Sequence, residues 1–118
     1  MSKTFVLVHG AWHGGWCWRR VADLLEAKGH KVFAPTLTGL GERSHLMRAG
    51  INVSTHVTDI VNVLKWERLT DVVLCGHSYG GFVISGVAEQ AADRRDSTEH
   101  AEPDVAHPES LLGEQHQD

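Results

Sequence analysis

At 118 residues, with 42% hydrophobic and 22% charged side chains, the chain is long enough for a single domain with its own core. A net charge of −4 excludes the basic footprint of a nucleic-acid binder, and the apolar run behind Met1-Ser2-Lys3-Thr4 is too short for a signal-peptide core or a membrane span. Two cysteines, Cys17 and Cys75, make neither a disulfide framework nor a CxxC metal knuckle, so a cytoplasmic protein without membrane or nucleic-acid partners is the expectation.

Thr4 to Val8 (TFVLV) is an unbroken, β-prone apolar run, the pattern of a strand covered on both faces. It ends in His9-Gly10-Ala11-Trp12-His13-Gly14-Gly15, whose glycines let the chain turn sharply and bring main-chain N–H groups close to anything above the strand end. Trp18, Val21, Ala22 and Leu25 then fall at helical spacing, predicting a helix from about Trp16 to Lys28 with Gly29 as its C-terminal cap. Lys31 to Ala34 reads as a second strand, closed by Pro35. Residues 35–53 show no period and are expected to form a long functional loop, with Arg43, His45 and Arg48 as a solvated face. Gly39-Leu40-Gly41 does not make a dinucleotide fingerprint, because position 44 is serine and no strand directly precedes it.

Ser54 or Thr55 is expected to cap a second helix, whose Val57, Ile60, Val61 and Leu64 share one face. Asp71 to Cys75 is again apolar without alternation and reads as the third strand. Gly76-His77-Ser78-Tyr79-Gly80-Gly81 follows at once, then a helical pattern in Ile84, Val87, Ala88 and Ala91. A serine on so tight a strand-to-helix bend holds its hydroxyl out over the sheet, which is the arrangement of a nucleophile elbow, with Ser78 as nucleophile.

Strands and helices alternate, which argues for a parallel sheet with helices on both faces. Right-handed crossovers constrain the layout, and if the second strand lies to one side of the first and the third to the other, the spatial order is 2-1-3 with a switch point between strands one and three, where ligands bind beyond the carboxyl ends. The two glycine-rich segments should therefore face one another. One would offer the nucleophile, and the amides of Ala11 and Tyr79 could receive the oxyanion formed when that nucleophile attacks a carbonyl. Nine histidines are scattered through the chain without metal-ligand spacing, and neither a metal nor a cofactor is expected.

The composition changes at residue 93. Residues 1–92 hold 9 Lys and Arg against 7 Asp and Glu, whereas 93–118 hold 2 against 8. With few apolar residues and no sustained period, 93–118 is expected to be an acidic, disordered tail behind a domain of residues 1–92.

The runs Val6-Leu7-Val8-His9-Gly10-Ala11-Trp12-His13-Gly14-Gly15-Trp16-Cys17-Trp18, Gly29-His30-Lys31-Val32 and Gly76-His77-Ser78-Tyr79-Gly80-Gly81 closely resemble the α/β-hydrolase superfamily. Within it the chain is most similar to the methylesterase and hydroxynitrile-lyase group and its bacterial esterase relatives, over roughly residues 3–92. The resemblance implies a three-layer α/β fold around a parallel sheet, incomplete here at about three strands with flanking helices. It implies a Ser-His-Asp acyl-transfer site acting on a small carboxylic ester, with Ser78 as nucleophile and Ala11 and Tyr79 as oxyanion amides. His9, Gly10, Trp12, His13 and His77 match positions that shape the oxyanion turn and the pocket.

In this superfamily the acid and then the histidine of the triad follow the serine, on loops after later strands. Asp93, Asp96, Asp104, His100, His107 and His116 follow no strand-like run, so none is assigned. Two readings result: a serine hydrolase working through Ser78, or a truncated or frame-shifted product that is catalytically incomplete and at most binds a small ligand.

Overall fold

The computed structural model describes residues 2–101. Four strands, β1 (Thr4–Val8), β2 (Lys31–Phe33), β3 (Val72–His77) and β4 (Arg95–Ala101), pair in parallel in the order β2-β1-β3-β4. Three α-helices join them: α1 (Arg19–Ala27), α2 (Val53–Trp66) and α3 (Tyr79–Gln90). From β1 to β2 the chain moves one way across the sheet, and from β2 through β3 to β4 it moves the other way. Right-handed crossovers therefore put α1 alone on one face and α2 with α3 on the opposite face.

The two cores record that division. Phe5 and Leu7 of β1 pack with Trp18, Val21 and Leu25 and with Val73 and Cys75 of β3. Val6 and Val8 point the other way, into Ile60 and Leu64 of α2 and Val83, Ile84 and Val87 of α3. Helices on both faces are the reason β1 and β3 are written as unbroken apolar runs, each such side chain contributing about 1.5–3 kcal/mol on full burial.

Helix boundaries differ from the sequence pattern by a few residues. A 3₁₀ turn, Gly15–Trp18, precedes α1, so the α-helix starts later than the predicted Trp16. Its C-terminal signal is as predicted: Gly29 has φ +90°, its N–H donates to the Glu26 carbonyl at 2.9 Å and that of His30 to Leu25 at 3.1 Å. The cap of α2 is Asn52 rather than Ser54 or Thr55. Its side chain accepts from the Thr55 N–H at 3.2 Å, while the Thr55 hydroxyl accepts from the Asn52 N–H at 3.3 Å, a reciprocal box that starts the helix two residues early. Within the expected loop of residues 35–53, Gly41–Leu46 forms 3₁₀ turns.

The principal correction is β4. The sequence pattern ends its strands before residue 92 and treats everything from residue 93 as a disordered tail, yet Arg95–Ala101 (RDSTEHA) pairs along the whole of β3. The third strand is therefore not an exposed edge, and the sheet has four strands rather than about three. A strand ladder is made by main-chain groups, so the free edge of β3 recruits a segment whose side chains carry no strand pattern. A register shift opposite Val72 and Val73, leaving Asp96 as the extra residue, lets β4 follow the twist. Residues 102–118, including Asp104, His107 and His116, lie outside the described residues. No helix among the described residues is long and apolar enough to cross a membrane.

Candidate active site

β3 delivers Ser78 to the carboxyl end of the sheet. The serine has φ 56° and ψ −119°, a combination that L-residues avoid, and α3 begins at the next residue. The bend closes only because its flanks have no side chain. A β-carbon on Gly76 would lie 2.5 Å from the Gly80 carbonyl oxygen, and one on Gly80 would be driven into the Val8 carbonyl oxygen. The Ser78 residue is exposed and borders a cavity of about 280 Å³ with Gly81, Phe82, Ser85 and His100. Among the described residues, no hydrogen bond reaches its hydroxyl.

Gly10, from the loop after β1, packs directly against this bend: a β-carbon there would be 3.5 Å from the Ser78 Cβ and 3.3 Å from the His77 carbonyl oxygen. The two glycine-rich segments thus face each other across the β1–β3 boundary, as the strand order requires. Ala11 follows Gly10 at the surface. Its N–H makes no hydrogen bond among the described residues. Tyr79 is the first residue of α3, a position whose N–H has no partner within the helix.

The other expected pocket residues divide. His9 is fully buried and both ring nitrogens are engaged, so it stands beneath the loop rather than on a pocket wall. Nδ1 lies 2.7 Å from the Gly10 carbonyl, which can only accept, and Nε2 accepts the Leu37 N–H at 3.0 Å. Burial, reinforced by His13 and His56, holds its pKa below the ordinary 6.5, against the opposing pull of the Gly10 carbonyl and Glu42. His13 and His77 face each other at 6.3 Å between ring centroids, and His77 too is lowered, first by burial and then by His13. Trp12 is 93% exposed and is not among the residues lining the cavity beside Ser78. The first loop is also pinned from the side, with Gly15 N–H donating to the Thr36 hydroxyl at 2.8 Å and that hydroxyl donating to Glu42 at 2.7 Å.

Two groups escaped the sequence reading. His100, left without a scaffold there, is carried by β4 to the cavity beside Ser78, its ring 2.9 Å from where a Gly81 β-carbon would lie. No apolar pattern marked that strand. His56 is buried on α2 and lies 2.7 Å from the Tyr79 hydroxyl and 2.9 Å from the Thr38 carbonyl. The signal for it was present: His56 sits four residues before Ile60 and next to Val57, on the helix face that the apolar spacing marks as buried.

The model of the alpha/beta hydrolase family matches residues 5–113. The chain belongs to that family. A carbendazim-hydrolyzing esterase from Nocardioides sp. (strain SG-4G) is 52% identical to this alpha/beta hydrolase over 91 residues, 77% of this chain and 38% of that protein. Methylesterase 1 of Arabidopsis thaliana is 38% identical over 104 residues, covering 79% of this chain and 36% of its own length. Among solved structures, an extracellular alpha/beta-hydrolase from a Paenibacillus species superimposes with a TM-score of 0.76 at 33% identity, over 83% of this chain and 39% of that one. This alpha/beta hydrolase therefore spans somewhat over a third of the length of these relatives.

Proposed function

We propose that the chain is a serine hydrolase acting on a small carboxylic ester by acyl transfer through Ser78. One observation carries the reading: an exposed serine in a strained conformation, raised over the sheet end and packed against the neighbouring loop at Gly10. In this mechanism the Ser78 Oγ attacks the acyl carbon, and its proton passes through a base to the departing alcohol. The carbonyl oxygen becomes an oxyanion that accepts from the Tyr79 and Ala11 N–H groups. Water then hydrolyses the acyl-serine and restores the hydroxyl. Each preorganised donor contributes about 2.7–4 kcal/mol to such a transition state. Esterase relatives at 52% and 38% identity support an ester as substrate.

A second reading is favoured by the Ser78 hydroxyl, which makes no hydrogen bond among the described residues: that the chain by itself is catalytically incomplete, because a serine without an engaged base is a poor nucleophile at neutral pH. A fluorophosphonate probe separates the two. Brisk labelling abolished in Ser78→Ala establishes a complete site. Slow labelling, also lost in Ser78→Ala, establishes the incomplete one and is the expected result. Labelling that survives Ser78→Ala overturns both.

A further inference from the structure

The segment Thr36–Thr38 touches both of the loops that meet at Ser78. Toward the first loop, the Thr36 hydroxyl takes the Gly15 N–H and the Leu37 N–H is held by His9 Nε2. Toward the bend, contact runs through α2. Asp59 accepts the Thr38 N–H on one carboxylate oxygen and the Thr38 hydroxyl on the other, each at 2.7 Å, which fixes the Thr38 peptide against that helix. His56, one turn earlier on the same helix, bridges the Thr38 carbonyl and the Tyr79 hydroxyl.

A carbonyl oxygen has nothing to donate, so the His56 Nε2 must bear a hydrogen and give it to Thr38. In the neutral ring Nδ1 is then a bare lone pair, which accepts from the Tyr79 hydroxyl. The bonds run in one direction, Tyr79 O–H to His56, His56 N–H to Thr38, and Thr38 N–H and O–H to Asp59. His9 adopts the opposite tautomer, with hydrogen on Nδ1, because there the acceptor Nε2 faces an N–H. A phenol is protonated at neutral pH, and burial raises that of Tyr79 further above its ordinary pKa.

Building on the functional reading above, we infer that His56 is a positioning residue for the site: it anchors the Tyr79 side chain and so aims the Tyr79 N–H at the oxyanion. Tyr79 is the first residue of α3, and its N–H has no partner within the helix ladder. A 2.7 Å bond from its own phenol to a buried histidine adds a restraint on that residue beyond the steric closure of the bend. Through the 36–38 segment the same histidine is tied to the loop bearing Ala11, so the two donors are held by one framework.

Nitrogen NMR on the intact chain tests this without any requirement for activity. Ring spectra should show the His56 hydrogen on Nε2, and relaxation should give a Tyr79 amide order parameter of about 0.85, as for rigid backbone. In His56→Leu that value should fall below about 0.6 while the Val21 amide in α1 is unmoved. His56→Gln, whose amide offers an N–H to Thr38 and an oxygen to the phenol, should restore it. Where His56→Leu does not fold, Tyr79→Phe decides, since it opens the same link from the other end and should loosen the same amide. A His56 hydrogen on Nδ1, or a Tyr79 amide as rigid in Tyr79→Phe as in the unaltered chain, overturns the inference. A chain with the stated tautomer and rigidity whose Ser78 never takes the probe refutes the hydrolase reading instead.

Discussion

The bend after β3 and the loop after β1 stand against each other, Gly10 beside Ser78, yet only the first is held in a strained backbone conformation, and the second leans on a polar scaffold. At the bend the restraint is steric: Ser78 is kept at φ 56° because β3, α3 and the end of β1 leave the chain no other route. The loop after β1 contains no comparable outlier. Its backbone φ values are ordinary, and besides the close approach of Gly15 to the Ala34 carbonyl it is held by hydrogen bonds, from His9 below and Thr36 at the side. A site that must present one side chain rigidly and also receive charge on main-chain amides has use for both. Steric confinement fixes a direction whatever the solvent does. A polar scaffold leaves neighbouring N–H groups unspent and responds to protonation.

The contrast can be broken most severely at Gly80. A methyl group there meets the Val8 carbonyl with no flexible neighbour to yield, so Gly80→Ala is expected to cost about 3 kcal/mol or more, read as loss of a cooperative transition in urea. On the polar side, Thr36→Val keeps the shape but deprives the buried Gly15 N–H of its acceptor. The expected cost is about 2 kcal/mol with the fold retained, measured by the same titration.

A smaller effect of opposite sign should appear at the strained residue. Ser78→Gly tolerates positive φ, and is expected to raise stability by about 1 kcal/mol while abolishing probe labelling. A loss of stability there would show that Ser78 is not strained. The smallest effect is that of pH. His9 and His77 both have folded pKa values below the ordinary 6.5, so the unfolded chain binds protons that the folded chain refuses. Their contribution is complete above pH 6.5 and drains away as pH falls through 6.5 toward the folded values. The thermal midpoint should therefore drop between about pH 7.5 and pH 5.5, and drop less in His9→Asn. Equal pH slopes in the two proteins would remove His9 from the account.

Much of the architecture was readable in the residues. TFVLV and the run ending at Cys75 announce strands buried on both faces, and the turn at Gly76 to Gly81 announces the bend that follows. Strand order 2-1-3 was one layout that the alternation allowed, and the pairing of β1 with both β2 and β3 decides it. By contrast, nothing in RDSTEHA announces β4, because its pairing depends on an edge offered by β3 rather than on its own side chains. His9 was legible as a loop residue, but its burial and tautomer were not, since they depend on Leu37, 28 residues away.

Local pattern therefore determined which segments became the first three strands and the helices and where a serine would be pinched between glycines, since periodicity and backbone sterics act over a few residues. Tertiary structure decided the rest: which edge recruited a polar strand, which histidine went under the loop, and which one reached Tyr79. Those outcomes depend on groups distant in sequence meeting at hydrogen-bond range, and only the folded chain brings them there.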